Sequence, residues 1–160
     1  MILNTILKSY SFCKATKRIH YDVEIMNYFF KKKWRFLTKY YQNKIIYRYG
    51  CEIDPGAQID KTVKFFHIVG VVIGDFAILK NNVSIFQNVT IGANIGINGQ
   101  GSKSDMPIIE DSVIIYAGSV VVGGITIGNN SIVAANSTVT KNVPPNSLVT
   151  GRNMITKIEN

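Results

Sequence analysis

Residues 109–143 read IEDSVI IYAGSV VVGGIT IGNNSI VAANST VTKNV, and each unit of six opens on an apolar residue: Ile109, Ile115, Val121, Ile127, Val133 and Val139. The fifth place of each unit is small or β-branched, as Val113, Ser119, Ile125, Ser131, Ser137 and Val143. An apolar residue every sixth position with a compact one four later fits short strands that turn a corner every six residues. Successive turns then stack their lead residues into one narrow core. A β-sandwich would alternate with period two instead, and this stretch does not.

The same frame extends towards the amino terminus through Ile53, Ile59, Phe65, Ile73, Leu79, Ile85 and Ile91. Thirteen lead positions are all apolar, which a 46% hydrophobic background would give on the order of once in 10⁴ to 10⁵ trials. Gly74-Asp75, Gly128-Asn129-Asn130 and Ala135-Asn136 follow lead positions, where tight corners call for residues that tolerate positive φ. The pattern predicts an all-β domain over 51–160 built as a parallel β-helix. The frame breaks twice, at the step from Phe65 to Ile73 and at 93–107, a segment rich in Gly, Asn and Ser that reads as a loop extruded from a rigid scaffold.

Residues 1–50 differ in both pattern and charge. They hold eleven Lys/Arg against Asp22 and Glu24, whereas 51–160 is nearly neutral, so this third carries all the excess in a chain of net charge +8. Phe30, Trp34, Leu37, Tyr41 and Ile45 fall at the spacing of one helix face, after a shorter seam of Leu3, Ile6, Leu7 and Tyr10. A basic helical pair ending near Gly50 is predicted. It reads as an amphipathic element packed on the body of the protein, with an anionic membrane surface or a polyanionic substrate as further partners; no nucleic-acid motif accompanies the cations.

A chain of 160 residues suits one domain with a short appendage, and 46% hydrophobic with 18% charged residues excludes a disordered chain. No apolar run is long enough to cross a bilayer. The amino terminus shows no signal-peptide pattern, so a cytoplasmic location is expected. Cys13 and Cys51 form neither a CxxC pair nor a disulfide framework, and no metal site is predicted.

The ordered set Gly50-Cys51-Glu52-Ile53-Asp54-Pro55, His67-Ile68-Val69-Gly70-Val71-Val72-Ile73-Gly74, Val89-Thr90-Ile91-Gly92, Ala117-Gly118-Ser119 and Val143-Pro144-Pro145 resembles the hexapeptide-repeat acyltransferases, nearest the serine acetyltransferase branch. The resemblance implies a left-handed β-helix prism, a homotrimer, and acetyl-CoA bound between neighbouring subunits. Matching positions for the donor are Ala93, Ala117 and Ala135, where a long narrow ligand needs close backbone approach, with Lys141 for a coenzyme A phosphate.

Transfer of an acetyl group to a hydroxyl needs a base, and histidine titrates in the useful range. His67 is the single histidine of the repeat domain, sits at the irregular step, and matches the family's His-x-x-Gly segment. Glu52, fifteen residues earlier, is placed to lie near the imidazole and fix its tautomer. Cys51 offers a rival acetyl-cysteine route or, more simply, a small buried hydrophobe. His20 receives no role.

Serine acetyltransferases resembled here carry an Arg-His pair before the proline that closes the loop, and an aspartate before the catalytic histidine. This chain has Asp105-Met106-Pro107 and Phe66. The departures resemble the short O-acetyltransferases of capsule, exopolysaccharide and lipopolysaccharide pathways. A saccharide acceptor is therefore expected, polymeric or lipid-linked, contacted by Phe66, Asp105 and Met106, with the basic segment facing the inner membrane. Serine O-acetylation is the alternative. A non-catalytic repeat protein, or a β-helical carbonic anhydrase with several histidine ligands, is the remaining class.

Overall fold

The computed structural model describes residues 3, 4, 7, 14–94 and 103–158. Lead residues spaced by six become two-residue to four-residue strands, β1 to β15 in chain order, that assemble into three sheets around a triangular prism. The first sheet joins β1 (Glu52–Ile53), β4 (Val72–Ile73), β7 (Thr90–Gly92), β10 (Val120–Val122) and β13 (Thr138–Val139). The second joins β2 (Gln58–Ile59), β5 (Ile78–Leu79), β8 (Ile108–Ile109) and β11 (Thr126–Ile127). The third joins β3 (Lys64–Phe65), β6 (Ser84–Ile85), β9 (Ile114–Ile115), β12 (Ile132–Val133), β14 (Ser147–Thr150) and β15 (Met154–Lys157). All pairs are parallel except the closing β14–β15 hairpin. The domain is a parallel β-helix of hexapeptide repeats, left-handed as the family resemblance implies.

Register explains the core. Ile53 pairs with Ile73, Ile73 with Ile91, Ile91 with Val121 and Val121 with Val139, so one column of lead side chains runs the length of the first sheet. Twelve of the thirteen lead residues are buried to 3% exposure or less, with Ile59 half-buried. Serines in the fifth places are buried too, and their hydroxyls donate to carbonyls of the next turn: Ser119 to Ala134 and Ser131 to Pro144, both at 2.9 Å. A buried hydroxyl without such a partner would be destabilising.

Corner chemistry differs in detail from expectation. Positive φ falls on Asn82, Ser112, Asn130 and Asn146 at one corner, and alternates between Gly70, Asn88, Gly118 and Asn136 at another. Gly74 and Gly128 are not in that conformation. Gly128 is glycine because a Cβ would collide with the Pro144-Pro145 backbone, whereas a Cβ on Gly74 would meet only the flexible end of Met106, its methyl 2.6 Å away. Asn136 does take positive φ, as expected, whereas Asp75 and Asn129 do not.

Two helices close the first end of the prism, α1 (Ala15–Lys31) and α2 (Arg35–Tyr49). The expected single seam from Phe30 to Ile45 is split by a break at Lys32–Trp34, where Lys33 takes φ +59. Phe30 and Trp34 are exposed. The buried faces are Ile19, Asp22, Val23, Ile25, Met26 and Phe29 on α1, and Thr38, Tyr41, Gln42, Ile45 and Tyr49 on α2. Of the shorter seam, Ile6 and Tyr10 lie outside the described residues and Leu3 and Leu7 are exposed.

The pair is tied together and to the first turn by polar contacts. Asp22, fully buried, accepts from Lys44 at 2.7 Å and from the Tyr49 hydroxyl at 2.6 Å. Asn27 bonds twice to the first corner, accepting from Gly56 N–H and donating to the Ala57 carbonyl, each at 2.9 Å. His20, given no role by its sequence context, donates from Nε2 to the Val63 carbonyl at 2.9 Å and leans on the Phe65 ring. An open-ended solenoid needs such a cap. No described helix is long and apolar enough to cross a membrane.

Candidate active site

His67 is lifted out of the prism by two extra residues. The regular turn advances 18 residues, as from Ile73 to Ile91 and from Val121 to Val139, but Ile53 to Ile73 takes 20. Backbone bonds locate the surplus. Phe66 N–H donates to Ile85 and Phe86 N–H to Ile115, so these two residues hold equivalent places, while Asn88 N–H donates to Val69 and Gly118 N–H to Gln87. Phe66 therefore matches Phe86, Val69 matches Gln87, and His67–Ile68 is the insertion between them. Ile68 turns inward and is 7% exposed; His67 is left on the outside, exposed, with no side-chain partner among the described residues.

The main chain of Gly50–Glu52 runs against the limb by which this bulge rejoins the first sheet. Gly70 N–H donates to Gly50 at 2.7 Å and Glu52 N–H to Val71 at 2.8 Å. Glu52 is exposed on the lip of the same corner, paired in register with Val72. Asp54, two residues on, is half-buried, and burial together with the charges of Glu52 and Asp75 raises its carboxyl above the usual range. Cys51 is 4% exposed and burial pushes its thiol up to about 12, a poor setting for a nucleophilic thiolate.

The corner carrying His67 continues along the prism. Asn136 N–H donates to Ala117 at 2.9 Å, which places Ala117 and Ala135 on successive turns above Gln87 and Val69. The small side chains of Ala117 and Ala135 leave the backbone open to close approach there, as an extended coenzyme A arm would need. Ala93 and Lys141 are elsewhere, at the corner between the first and second sheets that also launches the 93–107 loop. At the loop's return, Asp105 ends a 3₁₀ turn (Lys103–Asp105), and the Ser104 carbonyl and Asp105 lie against Gly124. Met106 is 6% exposed and packs on Gly74, so in this chain it anchors the loop rather than presenting a side chain to solvent. The predicted residues thus form two groups on two corners: Glu52, Phe66, His67, Ala117 and Ala135 on one, Ala93, Asp105, Met106 and Lys141 on the other.

One feature beside His67 escapes a reading by sixes alone. Phe66, Phe86 and Tyr116 occupy the same place on three successive turns and their rings stack at 4.8 and 4.9 Å. The signal is present in the sequence as an aromatic residue directly after the lead residues Phe65, Ile85 and Ile115. Next in the neighbouring column, Gln87 buries its side-chain oxygen with no hydrogen-bond partner among the described residues. Among those residues no three His, Cys, Asp or Glu side chains gather as a metal would require.

Residues 106–141 match the family model described as bacterial transferase hexapeptide (six repeats), which places this stretch of the prism in the hexapeptide-repeat transferase family. The chain's relatives are more specific. The serine acetyltransferase of Buchnera aphidicola subsp. Schizaphis graminum is 35% identical over 156 residues, covering 96% of this chain and 56% of that protein. A solved serine acetyltransferase in complex with CoA superposes with a TM-score of 0.75 at 30% identity, covering 84% of this chain and 53% of the other. The Neisseria gonorrhoeae serine acetyltransferase in complex with serine gives 0.78 at 28% identity, covering 93% and 63%. The chain spans about half or less of the length of the curated relatives it matches, from 39% to 56%.

These relatives overturn the expected saccharide acceptor and favour the alternative, serine. The fold supplies the physical reason. Phe66 is aromatic because it ends a ring column within the chain, and Met106 is apolar because it fills the space over Gly74; neither residue type demands a sugar.

Proposed function

We propose that the protein is an acetyl-CoA-dependent serine O-acetyltransferase, with His67 as general base. The observation that carries this reading is the two-residue insertion that projects His67 from the corner along which Ala117 and Ala135 lie in line. Bound acetyl-CoA supplies a thioester-activated acetyl group. His67 accepts the proton of the serine hydroxyl as that oxygen attacks, then returns it to the departing thiolate. Glu52, anchored against the returning limb of the bulge, orients the imidazole and balances its transient positive charge. Ala93, Ala117, Ala135 and Lys141 hold the donor, and Phe66 and Asp105 border the acceptor.

Residues 1–50 and 51–160 form a helical cap and a catalytic domain in this proposal. The division of site residues between two corners of one chain favours assembly as a homotrimer, in which the His67 corner of one copy meets the loop corner of the next.

The test is release of free coenzyme A from acetyl-CoA with L-serine as acceptor. Turnover that His67→Gln lowers by about 10²- to 10⁴-fold is expected. Absence of turnover with L-serine, with acetyl-CoA binding intact, would overturn the choice of acceptor. Unchanged turnover in His67→Gln would overturn the mechanism.

A further inference from the structure

The outer face of α2 carries a stripe, aromatic but for Asn43, whose rings are exposed among the described residues. Phe36, Tyr40, Asn43 and Tyr47 follow at spacings of four, three and four, so they line one side of the helix. That side is opposite the buried face of Thr38, Tyr41, Gln42, Ile45 and Tyr49. Phe36 is 83% exposed and Tyr47 88%, with Tyr40 and the preceding Trp34 more than half exposed. From Phe36 to Tyr47 the stripe is about 16 Å long.

Cations cluster at its amino-terminal end. Lys31, Lys32, Lys33, Arg35 and Lys39 are all exposed at the hinge and first turn, and no Asp or Glu occurs between Ile25 and Cys51. The two cations nearer the carboxyl end, Lys44 and Arg48, face the buried Asp22. Beside the stripe, a cleft of about 780 Å³ is lined by Phe30, Lys33, Arg35, Phe36, Lys39 and Pro55 among others, with three cations and no acid.

We propose that this face docks on an anionic membrane surface, with the aromatic stripe at headgroup depth and the basic turn and cleft against lipid phosphates. Exposed aromatic rings flanked by cations suit the boundary between headgroups and acyl chains. The charge also selects among occupants. A second copy of the same face would set one acid-free basic patch against another, whereas an anionic bilayer complements it. The stripe is a straight ridge, which a fluid surface accommodates along its whole length. This docking is independent of the acetyl acceptor.

The experiment is co-sedimentation of the full chain with vesicles of phosphatidylglycerol and phosphatidylcholine in equal parts, against pure phosphatidylcholine, at low and high salt. Binding to the anionic vesicles alone, weakened by salt, is expected. It should fall about tenfold in Phe36→Ser/Tyr47→Ser and in Lys31→Gln/Lys33→Gln/Arg35→Gln. All of these side chains are exposed, and an unchanged thermal melt would show that the variants fold. No binding to anionic vesicles, equal binding to neutral ones, or undiminished binding by both variants would each overturn the proposal. So would a stripe variant that changes only the mass of the particle by light scattering, which would assign the face to a second copy.

Discussion

At His67 the exposed imidazole and the buried Ile68 are one device, since the inward isoleucine holds the outward histidine in place. Replacing His67 by Gln removes the base and leaves the bulge packed. Coenzyme A binding, measured by calorimetry, should stay within about twofold while turnover falls as stated above. His20 gives a second prediction. Burial holds its pKa below the ordinary 6.5, against the opposing pull of the Val63 carbonyl and of Asp60. A depressed folded value means that the neutral ring contributes stability above about pH 6.5, and this is lost as pH falls through the lower folded value. Unfolding midpoints in urea measured from pH 7.5 down to 5 should show that loss, reduced in His20→Asn. Residues also mark where sequence reading stops. The projection of His67 was legible because it breaks a frame. Met106 was not, because its burial depends on Gly74, thirty-two residues away along the chain and one turn of the coil below.

Elements were legible in proportion to how local their cause is. A strand of the prism is specified by one lead residue and one compact residue, both in the same six, so every lead position from Ile53 to Val139 lies in a strand. Helix faces depend on partners. The Phe30-to-Ile45 seam has good helical spacing, yet the turn at Lys33 rotates α2 relative to α1, and Phe36 rather than Trp34 begins the apolar line on its outer side. What joins the two helices is the buried carboxylate of Asp22 with Lys44 and Tyr49. Asp22→Ala leaves a partly buried ammonium and a buried phenol without their acceptor. A loss of about 3–5 kcal/mol is expected in urea unfolding, with Lys44→Met/Asp22→Leu recovering a large part of it. Gly128→Ala, forced against the Pro144-Pro145 backbone, should cost about 1–3 kcal/mol in the same assay.

Over the whole molecule the 18-residue turn is the unit, and departures from it carry the candidate chemistry. Ile91 to Val121 spans 30 residues, twelve beyond the regular step, and the surplus falls in 93–107. Joining Ala93 directly to Met106 restores an 18-residue turn. That deletion should melt within a few degrees of the parent while losing acetyl transfer, because each turn contacts chiefly its neighbours. The acceptor was the part least open to sequence reading, since it turns on residues whose character the fold itself accounts for, Phe66 in its ring column and Met106 over Gly74. Trp34 has a consequence for observation. It is the chain's one tryptophan, half-exposed at the hinge between the helices and stacked on Phe29 at 5.7 Å. Intrinsic emission excited at the indole band therefore comes from this hinge alone, and the protein carries a built-in optical probe that reports on the cap while remaining blind to the prism.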